Sequence, residues 1–216
     1  MRKSDGCNNS LEKLDAIFRV CKETGVHCPC DGPFLYTIEE NKNHKYKRLV
    51  IHPLLSWYHP AFADSNLEND KNLDELGTDY HSGWLDFRKI HWPHPMNYRT
   101  LSEFFLSKNI EYRNDFVQES DDFIITVSHF LPRGELVPQI SRWMRPTFMY
   151  VVGCSKLDNH IRDLESIIHV CGHTHIDHDT VISKVRYIQH AFGHPSERSQ
   201  WWKSSSPYSP KNICVL

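Results

Sequence analysis

The stretch "IIHVCGHTHIDHDTVI", Ile167 to Ile182, decides the fold, because its six letters H-T-H-I-D-H fit two metal-binding patterns at once. Read as H-x-H-x-D-H, it offers His173, His175, Asp177 and His178 as one close ligand set. Read as G-H-x-H, it is an apolar strand that runs out into Gly172, His173 and His175. Neutral imidazoles on a rigid strand–loop junction suit Zn, Fe, Mn or Ni, and an extended H-x-H pair can serve one ion or two neighbouring ones. The rest of the chain has to choose between the two.

Outward from that stretch, apolar runs alternate with helical patterns. "DFIITVSHF" (Asp122–Phe130) is β-rich and also ends near a histidine, His129. "QISRWM" reads as a short amphipathic helix, "TFMYVVGC" as a second strand and "SKLDNHIRDLES" as a second helix, while "IIHVCGHTH" is the third strand. "DTVISKVRYIQ" reads as a β-hairpin turning at Ser183 and Lys184. Such alternation predicts an α/β layered domain, with function gathered at strand ends.

Nearer the start, Asn9 with Glu12 three residues later marks a helix start, and Leu11, Leu14, Ile17, Phe18 and Cys21 then recur at helical spacing up to Gly25. "FLYTI" and "RLVIHPLL" read as strands around a polar turn. Residues 56–97 form an irregular insertion rich in prolines and aromatics, including Trp57, Tyr58, Phe62, Tyr80, Trp84, Phe87 and Trp92; it is expected to be ordered over a site. From Tyr98 a helix is expected, burying Leu101, Phe104, Phe105 and Leu106 and running on toward Val117.

Length and composition limit the function classes. The 216 residues suffice for a single α/β domain, 39% are apolar, 24% are charged and the formal net charge is −2. No basic excess points to nucleic acid, and no apolar run approaches the roughly 20 residues that span a bilayer. "MRKSDGCNNS" lacks the apolar core of a signal peptide, so a cytoplasmic protein with no membrane partner is expected. Seven cysteines without an export signal are read as reduced thiols, and "NICVL" is not a prenylation box because Cys214 stands third from the end.

The remaining histidines are mostly given to packing: His52, His59, His81, His91 and His94 lie among prolines and aromatics. Cys21, His27, Cys28 and Cys30 offer ligand types, but C-P-C leaves one intervening residue where structural zinc sites use two to four. A zinc module on this segment is therefore the third reading of the chain.

"TVSHFLP" followed by "HVCGHTH" resembles the last two motifs of the calcineurin-like metallophosphoesterase superfamily, and "PLLSWYHPAF", "HWP" and "VRYIQHAFGHPSER" extend the resemblance over nearly the whole chain. The competing pattern belongs to the metallo-β-lactamase fold, which needs its H-x-H-x-D-H near the start with further ligands downstream, whereas here it stands near the end. Asp177 and His178 are accordingly read as turn residues.

The resemblance implies a layered α/β sandwich, mixed β-sheets flanked by helices, and metal-dependent hydrolysis of phosphate esters. It implies that His129 and His173 share one metal and that His175 holds its neighbour. It also implies a small-molecule phosphate ester or a phosphoprotein as substrate, and divalent ions of the Mn, Zn, Fe or Ni kind, dinuclear only in a complete protein. The Asp-x-His, Gly-Asp and Gly-Asn-His motifs of that superfamily do not precede His129. The expectation is thus a single, N-terminally incomplete domain over residues 1–216, a fragment that supplies only the C-terminal histidine ligands. The alternative is a non-catalytic scaffold or binding module derived from such an enzyme.

Overall fold

A computed structural model describes residues 6–38, 45–63, 84–93, 96, 98–113, 116–137, 146–193 and 210–213. Six strands form one mixed sheet in the order β1-β2-β3-β4-β6-β5: β1 (Phe34–Thr37), β2 (Arg48–Pro53), β3 (Asp122–Val127), β4 (Ile168–Val170), β5 (His178–Ile182) and β6 (Val185–Gln189). The four inner strands β2, β3, β4 and β6 are parallel, and antiparallel β1 and β5 close the two edges. The helices are α1 (Ser10–Thr24), α2 (Leu85–Lys89), α3 (Tyr98–Tyr112) and α4 (Lys156–Asp163). No helix among the described residues is long and apolar enough to cross a membrane.

The elements form where local chemistry favours them. The Asn9 side chain caps α1 by accepting from the Leu11 and Glu12 amides, and Gly25 closes it in the left-handed conformation at φ 70°. The β5–β6 hairpin turns at Ser183 and Lys184, both at positive φ (47° and 74°), as a two-residue turn matched to strand twist requires. Arg48 and Asp122 pin the start of the parallel β2–β3 pair through two bonds of 2.7 Å, in the fork-to-carboxylate geometry that makes such pairs strong.

Three expectations are corrected. "TFMYVVGC" is not a strand: Pro146–Val151 is a 3₁₀ helix, and only Gly153 bridges to Leu131. Pro146 has no amide hydrogen for a ladder and is preorganised for a helical first turn. The helix from Tyr98 stops at Tyr112 rather than running toward Val117, and the layered sandwich of several sheets is, among the described residues, a single sheet. The helix expected at "QISRWM" and much of the 56–97 insertion lie outside the described residues.

Of the apolar clusters among the described residues, two are built around the sheet strands. The larger joins Leu131, Val152, Leu157, Ile161, Leu164, Val185 and Tyr187, packing α4 against β6; the smaller gathers Ile125, Ile168 and Ile188. Buried histidines interrupt this core. His169 on β4 is fully buried and meets Thr126 Oγ1 at 2.8 Å and Ser128 Oγ at 3.2 Å. His52 on β2 is 4% exposed and stacks edge-on against Phe116.

Burial holds His52 at a pKa of about 4, with Arg113 and His160 pushing the same way, and holds His169 at about 3. Both therefore enter the folded state neutral, while in the unfolded chain they gain protons below their ordinary pKa of about 6.5. The stability they allow is present above that value and is lost as pH falls toward 4. Each should cost roughly 2 kcal/mol between pH 6.5 and pH 5, at about 1.4 kcal/mol per pH unit. Urea denaturation at pH 7 and pH 5 reads this directly, and a midpoint that does not fall contradicts it.

Candidate metal site at the strand ends

Parallel β3 and β4 finish at the same edge of the sheet, and the segments that follow them carry the histidines. Beyond β3 the Ser128 amide donates to the Val170 carbonyl at 3.0 Å, which continues the ladder up to His129. Beyond β4 the Gly172 amide donates to the His129 carbonyl at 3.0 Å, so the two histidine-bearing loops are bonded to each other. A Cβ at position 172 would stand 3.4 Å from His129 Nδ1 and 3.5 Å from its carbonyl oxygen, ordinary van der Waals contact, so the two loops run close together here without the crossing itself demanding glycine. Thr174 is held from the far side by the buried Gln189 of β6, at 2.8 and 3.1 Å.

The fold brings His129 and His173 together, with Nε2 of the first 3.1 Å from Nδ1 of the second. His173 and His175 both adopt positive φ, 72° and 57°. His175 is exposed and does not close on the pair. Among the described residues, the one group of three or more His, Cys, Asp or Glu donors within 4.8 Å of one another lies elsewhere, at Cys28, Cys30 and Asp31. His175 does act electrostatically on both imidazoles, lowering the pKa of each.

Aromatic rings wall the pair. Phe130 lies 4.6 Å from the His173 ring, Phe148 stacks parallel to it at 6.1 Å and Trp84 stands at 5.9 Å. Burial pushes the His173 pKa down to about 4, reinforced by His129, with the Val151 carbonyl opposing. Burial also lowers His129, against the pull of Asp86. Both imidazoles thus offer lone pairs at neutral pH, the form that ligates cations.

One participant escapes a reading of the sequence. Asp86 on α2 brings a carboxylate close enough to His129 to favour its protonated form, and it is oriented by a 3.0 Å bond from the Trp84 indole. Its stretch has no periodicity, so only the abundance of aromatics there hinted at a site. Asp177 lies in the loop before β5, where it accepts from the Ala191 amide at 2.6 Å and meets His190 at 3.1 Å, whereas His178 is not a turn residue but opens β5 opposite Gln189.

The fold and the site together define an α/β protein with a histidine pair at the carboxyl ends of adjacent parallel strands. Its structure resembles the crystal structure of phosphopantetheinyl hydrolase from Mycobacterium tuberculosis, with a TM-score of 0.66 and 18% identity over 92% of this chain and 69% of that one. At that identity the likeness is one of fold. No family model matches the chain, and neither does any curated protein. The calcineurin-like assignment drawn from "TVSHFLP" and "HVCGHTH" is therefore corrected: the motifs are present, but no family match accompanies them, and the structural likeness is to a phosphopantetheinyl hydrolase.

Proposed function

We propose that the chain is a metal-dependent hydrolase of phosphate esters that holds its cation between His129 and His173. One observation carries this reading, the 3.1 Å separation of the two ring nitrogens, which hydrogen-bond to each other. A cation about 2.0–2.1 Å from two imidazole nitrogens, at right to tetrahedral angles, holds them roughly 2.8–3.4 Å apart, so an ion would replace the proton between the rings and turn both lone pairs toward itself without separating the nitrogens. Asp86 acts electrostatically on His129 and brings a negative charge that favours a cation there.

A divalent ion there supplies Lewis acidity toward a phosphoryl oxygen and toward water. The chain's own residues do the rest. The His129 carbonyl and Gly172 amide fix the two loops relative to each other, and Ser128 and Thr126 rest on buried His169 beneath them. Phe130, Phe148 and Trp84 exclude water from one side of His173. The name of the structural neighbour makes a phosphopantetheinyl ester the first substrate to try.

The separation of His175 from the pair favours a second reading, a module that binds phosphate esters without turnover. Metal content after loading with Ni²⁺ or Mn²⁺, measured beside hydrolysis of aryl phosphate mono- and diesters and of the phosphopantetheinyl ester, separates the two. For the enzyme, the His129→Ala, His173→Ala double variant should lose the ion and at least about 100-fold in rate, since even outer-shell changes cost 10–100-fold. Bound ion without turnover in the unaltered chain supports the module. Equal ion content in the double variant rejects the site itself.

A further inference from the structure

A second constellation lies away from the histidine pair, in the turn between α1 and β1. Cys28 Sγ is 3.3 Å from Cys30 Sγ and 3.2 Å from Asp31 Oδ2. These three donors lie within 4.8 Å of one another, the one such grouping among the described residues. The turn that assembles them is tightly built: the Cys28 amide donates to Asp31 Oδ2 at 2.9 Å, the Asp31 amide to the Cys28 carbonyl at 2.9 Å, and the Gly32 amide to the Pro29 carbonyl at 3.1 Å.

Capping accounts for the carboxylate, which satisfies the Cys28 amide. It does not account for the second thiol. Thiols are weak donors and weak acceptors, so a contact between them contributes little of its own to holding Cys30 over Cys28. Three deprotonatable donors facing one point, two of them sulfur, are what a soft or borderline cation requires.

We propose that Cys28, Cys30 and Asp31 form a binding site for one thiophilic divalent cation of the Zn²⁺ and Cd²⁺ class, independent of the histidine pair. Tetrahedral zinc at about 2.3 Å from sulfur and about 2.0–2.2 Å from oxygen sets two sulfurs roughly 3.8 Å apart and sulfur from oxygen roughly 3.6 Å. Each contact has to open by about half an ångström, a side-chain adjustment within a turn already fixed by Pro29. The two thiols release their protons on binding, and the adjacent Asp31 supplies the third donor that the short C-P-C spacing by itself lacks. The bound ion would lock the turn Cys28–Asp31 that leads from α1 into β1.

The test is a Cd²⁺ titration of the full, reduced chain, followed by the ultraviolet thiolate-to-cadmium charge-transfer band. The band should saturate at one equivalent per chain. It should persist in the His129→Ala, His173→Ala variant and fall to half or less in Cys30→Ser, a change at a half-buried position. Alkylation mapping of the unaltered chain gives a reading that needs no variant: saturating Cd²⁺ should protect Cys28 and Cys30 and leave Cys7 and Cys21 reactive. Absence of a band at one equivalent, full amplitude in Cys30→Ser, or protection that falls on other cysteines overturns the proposal.

Discussion

Replacing Asp158 with alanine is expected to lower the unfolding free energy by about 3–5 kcal/mol, the usual loss when one partner of a buried ion pair is removed. Asp158 is 7% exposed and its carboxylate ties three elements together. Oδ2 accepts from Arg133 Nη1 and from Arg162 Nε, both at 2.8 Å, and Oδ1 accepts from the Tyr187 hydroxyl. Truncation leaves two guanidinium groups facing each other and removes the acceptor from a fully buried tyrosine. Asp158→Asn keeps the shape and the Tyr187 bond and should lose less. Urea denaturation of both variants measures the difference, and a loss below about 1 kcal/mol in the alanine variant would contradict a structural role for the carboxylate.

Gly153→Ala should be comparably damaging, by about 3 kcal/mol or more, at or beyond the upper end of ordinary overpacking. The added Cβ would stand 2.2 Å from the Leu131 carbonyl oxygen and 2.7 Å from two ring atoms of Phe62. The Phe62 ring can turn aside, but the Leu131 carbonyl is backbone and cannot. Separating the two bridged segments would break the Leu131 amide's bond to the Val152 carbonyl and the Cys154 amide's bond to the Leu131 carbonyl, both 3.0 Å. Leu131 lies two residues beyond His129, so the histidine pair should be displaced as well. Adding Phe62→Ala relieves only the ring contact, so the double variant should remain unstable; recovery of the lost stability would show that the ring, not the carbonyl, is the obstacle.

The parts legible in the sequence were those written in local periodicity and turn chemistry. β2, β3, α4 and the Ser183–Lys184 hairpin follow from apolar pattern and turn residues, and α1 follows from Asn9 and Gly25. "TFMYVVGC" misleads because an apolar run of that length does not distinguish a strand from a buried helical turn, and here Pro146 and the packing of Phe148 on His173 select the turn. The histidine pair was visible because both members stand just past apolar strands. Asp86 was not, since only the tertiary fold carries α2 to the strand ends. The C-P-C spacing argues against Cys28 and Cys30 as a pair, yet a 3₁₀ turn starting at Pro29 brings their sulfurs to 3.3 Å. The family reading went further than short motifs allow, because a motif specifies one loop and its ligands, not the architecture around them.

The left-handed backbone at His173 and His175 sets two kinds of selection against each other. For a residue with a Cβ this conformation costs about 1–2 kcal/mol, a penalty that glycine escapes and asparagine partly escapes. A library ranked by heat resistance alone would therefore drift toward those residues at 173 and 175, while one ranked by cation capture would keep imidazole at 173, where it faces His129. Improved thermostability at these two positions would be a mark of lost chemistry.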